Sequence, residues 1–154
     1  MSDSSSHPTR PAELLLIEDN PGDARLVEEA LRDCPNPNRL HVVSDGDEAM
    51  DFLYRRGDHA AAPRPDLVLL DWNIPRTSGE TVLTEVKGDP DLKHIPVTVL
   101  TGSKDEGDVV RSYEKHANAC LHKAVEPGEF MDTIGVYTDF WLSVAKLPAG
   151  VESS

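Results

Sequence analysis

Four short apolar runs of this chain each end on a residue able to do chemistry. Leu14-Leu15-Leu16-Ile17 ends on Glu18-Asp19, and Leu67-Val68-Leu69-Leu70 ends on Asp71. Pro96-Val97-Thr98-Val99-Leu100 ends on Thr101, and Ala119-Cys120-Leu121-His122 on Lys123. Three carboxylates drawn together repel one another, and their pKa values are driven apart unless a cation sits among them. A hard oxygen cluster with few protein ligands suits Mg2+, which keeps waters and joins carboxylates to a phosphate. Lys123 supplies a mobile positive charge, and Thr101 a hydroxyl able to bond a phosphoryl oxygen. A carboxylate is itself a competent nucleophile that forms an aspartyl phosphate, and a metal screens its charge from an incoming phosphoryl group. Together these residues describe Asp71 as a phosphoryl acceptor. Taken singly each has a plainer role: paired acids cap helices, a strand-end Thr is structural, and a Lys is a solvated charge. The ordered combination sets the group apart.

The elements that must position these residues follow from the pattern between them. Apolar runs bounded by Pro and Gly suit strands buried on both faces of a parallel sheet. Asn20-Pro21 offers an N-cap and a first helical residue for a helix carrying Ala24, Leu26, Val27, Ala30 and Leu31. Leu40 to Val43 is a further short strand, closed by Ser44-Asp45-Gly46, and Ala49, Met50, Phe52 and Leu53 form the next helical stripe. The Gly57 to Pro65 region is predicted as loop. Thr77 or Ser78 caps a helix with Val82, Leu83 and Val86, which stops at Gly88-Asp89-Pro90. Val109, Val110, Tyr113 and Ala117 mark another, and a long final helix is expected from about Glu126 to Lys146. Strands alternating with helices over short connections predict a doubly wound α/β fold with right-handed crossovers. The expected architecture is a flavodoxin-like (βα)5 unit with sheet order 2-1-3-4-5, whose switch point lies between the first and third strands. That order sets the four chemical strand ends side by side.

Bulk properties bound the rest. A chain of 154 residues fits one domain with a real core. The expected domain covers 13–147, with flexible tails at 1–12 and 148–154. The formal charge of −13 and the lack of any basic stripe exclude a nucleic-acid-binding surface. Such an acid excess is ordinary surface adaptation in a halophile and also occurs in mesophiles, so charge alone does not choose the source. Two cysteines, Cys34 and Cys120, are too few for a disulfide framework and fit a reducing cytosol. The Ser/Pro-rich N-terminus lacks the apolar core of a signal peptide, and no run is long enough to span a bilayer. A cytoplasmic protein is expected.

Leu16-Ile17-Glu18-Asp19-Asn20, Leu70-Asp71-Trp72-Asn73-Ile74-Pro75, Leu100-Thr101-Gly102-Ser103 and His122-Lys123 resemble the motifs of two-component response-regulator receiver domains. The resemblance covers about residues 12 to 147. Arg39 to Leu53, Asp89 to Val97 and Asp139 to Pro148 are similar to stand-alone receivers that partner phytochrome-like sensor histidine kinases. The resemblance implies that Asp71 takes a phosphoryl group from a kinase phosphohistidine. It implies that Asp19 and Asp71 ligate Mg2+ directly, Glu18 through water and Asn73 through its backbone carbonyl. Thr101 would then move toward the phosphate and Lys123 would pair with it. The activity implied is self-phosphorylation and slow autodephosphorylation in a phosphorelay, not enzymatic turnover of an external substrate.

Two positions depart from the family pattern. Ala124 stands where Pro usually follows the Lys, and Cys120 stands where the family often has the Tyr or Phe that swings inward with the Thr. Tyr113 and His122 are the rings available to replace it. Trp72 either lies near the site as a fluorescent reporter or packs on a neighbouring helix. No fused output module is expected after the last helix, so a signal would leave through protein contacts. There Phe130, Ile134, Tyr137, Trp141 and Val144 form one apolar stripe, flanked by Val136 and Phe140. Tyr137, Phe140 and Trp141 widen that face, and aromatic residues of this kind anchor interfaces, so a homodimer through the last helix is expected, as the resemblance also suggests. Two alternatives stand beside the receiver reading. One is a pseudo-receiver that binds partners without phosphorylation, and the other a haloacid-dehalogenase-type phosphotransferase. The latter resembles Asp-x-Asp, whereas this chain has Asn73 in the second place and lacks the length for a cap domain.

Overall fold

The computed structural model describes residues 10–102, 106–123 and 126–143. Expectations placed on Ser103, Ala124, Val144, Lys146 and the tails at 1–9 and 148–154 lie outside the described residues. Five parallel strands, β1 (Ala12–Ile17), β2 (Asn38–Val43), β3 (Leu67–Asp71), β4 (Val97–Thr101) and β5 (Ala119–His122), form one sheet in the order β2-β1-β3-β4-β5. The helices between and after them are α1 (Pro21–Arg32), α2 (Gly46–Tyr54), α3 (Gly79–Gly88), α4 (Glu106–Glu114) and α5 (Pro127–Ser143). The expected flavodoxin-like topology is the observed one.

Strand alternation divides the core into two layers. Leu15, Ile17, Val68, Leu70, Val97 and Val99 face α2 and α3, which contribute Ala49, Phe52, Leu53, Val82, Leu83 and Val86. Leu14, Leu16, Leu67, Leu69 and Leu100 face α1 and α5, which contribute Val27, Leu31, Phe130 and Ile134. Both faces of the central strands are therefore covered, which is why they read as continuous apolar runs. Three helices start on side-chain caps that satisfy an otherwise orphaned backbone donor. Asn20 accepts from the Asp23 N–H, Asp45 from Glu48 and Ser78 from Thr81. Ser78, not Thr77, is the cap of α3; the Thr77 hydroxyl bonds Asp47 instead.

Several boundaries differ from the sequence reading for identifiable reasons. β1 already starts at Ala12, whose N–H donates to the Pro37 carbonyl, and Arg10 pairs with Asp66 at 3.1 Å. Backbone pairing, not apolarity, sets that edge. The loop after α2 contains a 3-10 turn at Gly57–His59. The stripe expected on α4 is corrected: Val110 and Tyr113 are 54% and 50% exposed, and Ala117 lies beyond the helix end at Glu114. Ser112 occupies the buried position, its hydroxyl satisfied by the Val109 carbonyl at 2.8 Å, so α4 is rotated away from its most apolar side. On α5 the buried line is Phe130, Ile134 and Thr138; Tyr137 and Trp141 are half-buried, and Val136 and Phe140 are 73% and 50% exposed.

Candidate metal and phosphoryl site

The strand order places the ends of β1, β3, β4 and β5 in succession at one edge of the sheet. Asp71 closes β3 and is buried. Its Oδ1 accepts the Asn73 N–H at 3.1 Å, and its Oδ2 lies 3.2 Å from the Lys123 ammonium. Glu18 follows β1, where its own N–H donates to the Val43 carbonyl at 2.9 Å. Glu18 Oε1 is 2.7 Å from Lys123 Nζ, yet it is buried and accepts no well-angled hydrogen bond. Asp19 is exposed beside it. Glu18, Asp19 and Asp71 each offer a carboxylate oxygen within 4.8 Å of the others. An all-oxygen donor set with a buried, incompletely satisfied carboxylate oxygen fits a hard divalent cation.

Electrostatics follow from this crowding. Burial pushes the Glu18 carboxyl up to about 8, and the neighbouring Asp71 carboxylate pushes it the same way. For Lys123, burial alone would lower the pKa, but the hydrogen bond to Asp23 and the charges of Glu18 and Asp71 beside it outweigh it. The ammonium is held above the usual lysine range and stays charged. The backbone fixes its origin: Lys123 N–H donates to the Thr101 carbonyl at 2.8 Å. Thr101 is itself fully buried at the end of β4, one residue beyond the Asp71–Leu100 register pair.

Sequence reasoning located Glu18, Asp19, Asp71, Thr101 and Lys123, and the fold brings all of them to this edge. It missed Asp23 on the first turn of α1, whose Oδ2 accepts from Lys123 Nζ at 2.8 Å. An acid in a first helical turn normally reads as a complement to the helix dipole. Asp23 follows Asp19 by four residues across the Asn20-Pro21 helix start, and that closeness in sequence to Glu18-Asp19 is the signal that was available. Of the positions that depart from the family pattern, Cys120 packs half-buried against the apolar core. The Tyr113 hydroxyl accepts the Cys120 N–H at 3.2 Å, while His122 is exposed. Trp72 is buried in the core on the α2–α3 side of the sheet, directly after Asp71 in sequence.

A parallel sheet with acids, a threonine and a lysine on adjoining strand ends defines a receiver-type domain. The response regulator receiver domain family matches residues 14–135, and the chain belongs to that family. It is 43% identical to response regulator Rcp1 of Synechocystis sp. over 97% of this chain and 99% of that protein. It is 33% identical to the probable methanogenesis regulatory protein FilR2 of Methanothrix harundinacea, over 88% of this chain and 86% of that protein. The Mn2+-bound form of Rcp1 superimposes with a TM-score of 0.86 over 90% of this chain and 99% of that one, at 43% identity. The phosphorylated cyanobacterial phytochrome response regulator RcpA gives a TM-score of 0.87 at 42% identity, with the same coverage of 90% and 99%. The chain is thus a response-regulator receiver, and neither the pseudo-receiver nor the phosphotransferase alternative is favoured. Among the described residues, no helix is long and apolar enough to cross a membrane.

Proposed function

We propose that this receiver accepts a phosphoryl group on Asp71 from a phytochrome-like sensor histidine kinase, with Mg2+ as the cation, and signals through protein contacts as a cytoplasmic homodimer. The observation that carries the reading is Asp71 itself, a buried strand-end carboxylate that touches Lys123 and shares an acidic cluster with Glu18 and Asp19. A receiver unit at 13–147 holds the whole site. Asp19 and Asp71 would hold the cation directly, Glu18 through water, and Asn73 through its carbonyl. When bound, the cation neutralises the acids and screens Asp71 from the negative phosphoryl group.

In the transfer, an Asp71 carboxylate oxygen forms a new bond to phosphorus while the bond from phosphorus to the donor breaks. The bonding pair leaves with the donor, an imidazole nitrogen of a phosphohistidine or the carboxylate of an acyl phosphate. A carboxylate nucleophile has no proton to lose, so the step requires no general base. Lys123, kept charged by its carboxylate neighbours, pairs with the transferred oxygens, and the Thr101 hydroxyl bonds one of them. Water later cleaves the acyl phosphate. The chemistry is confined to the protein's own side chain, so it is not enzymatic in the ordinary sense.

The test is incubation with acetyl phosphate and Mg2+, with the phosphoprotein read by intact mass. Wild type should gain one phosphoryl group, Asp71→Asn should gain none, and chelation with EDTA should abolish the gain. Equal labelling of wild type and Asp71→Asn would overturn the assignment.

A further inference from the structure

Among the described residues Lys123 has three carboxylate partners, and two of them have a part in the proposed reaction. Asp71 is the proposed acceptor and Glu18 belongs to the acidic cluster, whereas Asp23 comes from a different element, the first turn of α1. Its contact with Nζ, at 2.8 Å, is shorter than that of Asp71 at 3.2 Å. The Asp23 backbone is held in turn, since its N–H donates to the Asn20 cap at 3.1 Å. Lys123 keeps only 15% of its side chain exposed, so this pair is screened less than a surface ion pair.

We propose that Asp23 is a positioning residue that holds the Lys123 ammonium on the α1 side of the site and competes with the phosphoryl oxygens for it. This rests on the reading of Asp71 as the phosphoryl acceptor. The charge of one ammonium is shared among the anions it touches, so its hold on Asp23 and its hold on a phosphoryl group at Asp71 oppose each other. The balance between the two anions sets how strongly Lys123 holds an incoming phosphoryl group and how long the acyl phosphate lasts. Removing the charge of Asp23 frees Lys123 for the phosphoryl oxygens. No other group is required, because the bonds made and broken remain those at Asp71.

The experiment compares wild type, Asp23→Asn, Asp23→Glu, Asp33→Asn and Asp71→Asn with acetyl phosphate and saturating Mg2+. Asp33→Asn makes the same change in net charge at the other end of α1. Asp23→Asn should lower the half-saturating acetyl phosphate concentration and lengthen the phosphoprotein lifetime, each by about 3–10-fold, with little change in maximal rate. Asp23→Glu, which restores a carboxylate within reach, should return both values toward wild type, and Asp33→Asn should leave them unchanged. The positioning role is overturned if Asp23→Asn matches wild type, if only its maximal rate changes, or if Asp33→Asn has the same effect. In each of those outcomes the dependence of labelling on Asp71 still stands. Absence of labelling in wild type, or its survival in Asp71→Asn, overturns the acceptor assignment and this inference with it.

Discussion

Gly46 and Thr77 bring two loops into direct backbone contact: a Cβ placed on Gly46 would lie 1.8 Å from the Thr77 carbonyl oxygen. The contact is reinforced on both sides. Gly46 N–H donates to the Pro75 carbonyl at 3.2 Å, the Thr77 hydroxyl bonds Asp47, and Arg76 pairs with Asp45 at 3.3 Å. The segment that follows Asp71 is therefore clamped onto the start of α2. Gly79 repeats the arrangement on the near side, where a Cβ would lie 2.7 Å from the Trp72 carbonyl oxygen.

Gly46→Ala tests the clamp. A methyl group cannot be accommodated against backbone, so the loops must part, at a cost of about 1–3 kcal/mol typical of overpacking. Urea denaturation should show that loss. Because Pro75 to Thr77 leads back to Asp71, divalent-metal affinity should weaken in the same variant. Unaltered stability would mean that the two loops separate freely.

A second prediction concerns Thr98 and Tyr137, whose hydroxyls bond each other and tie β4 to α5. Thr98 is fully buried, so Tyr137→Phe strands its hydroxyl in the interior. Leaving a buried polar group unpaired costs about 1–3 kcal/mol, more than the net value of the bond itself. Thr98→Val removes the stranded group, so Tyr137→Phe with Thr98→Val should be more stable than Tyr137→Phe alone. Additive losses in the two single variants would show that the hydroxyls do not act as a pair.

The strand ends were legible because buried parallel strands are mainly apolar, so an acid, a threonine or a lysine at their ends closes the run visibly. The glycine-proline punctuation and the Asn20 cap were legible for local reasons, as was a cap at Thr77 or Ser78, because a cap satisfies a backbone donor within its own turn. Other features depend on tertiary partners. Asp23 is indistinguishable from a dipole-complementing acid until Lys123 is placed beside it. Val109, Val110 and Tyr113 fit a helical period, yet Ser112 takes the buried side because its hydroxyl finds a partner within the same helix. Ala12 joins β1 through its hydrogen bond to the backbone of Pro37, which no periodicity in residues 10–17 encodes.

Cys120 carries a pH-dependent expectation. Burial is the main force raising its thiol pKa, and the neighbouring Ser112 side chain opposes it only in part. Alkylation proceeds through the thiolate, so a raised pKa means a smaller reactive fraction at neutral pH. Iodoacetamide labelling of Cys120, followed by peptide mass spectrometry, should be slow at pH 7.5 in the folded protein. Its rate should climb with pH to a midpoint above that measured in urea. A folded-state midpoint at or below the unfolded one would contradict the burial seen here.

The last prediction concerns α5 and the proposed dimer. Leu121, Val136, Tyr137 and Phe140 line an apolar groove, with Asp132 and Thr133 at its border. Tyr137 is committed to Thr98, and Trp141 packs against the core shared by α1 and α5. Trp141 also meets Phe140 and Tyr137 edge-on, at ring-centroid distances of 6.3 and 6.1 Å. Trp141→Ala therefore disturbs the domain's own packing as well as its surface. Phe140 and Val136 are the exposed members, so a charge at Phe140 acts on association with little effect on the fold. Analytical ultracentrifugation should find wild type as a dimer and Phe140→Glu as a monomer with unchanged circular dichroism and thermal midpoint. A Phe140→Glu protein that still sediments as a dimer would place the interface elsewhere than on this face of α5.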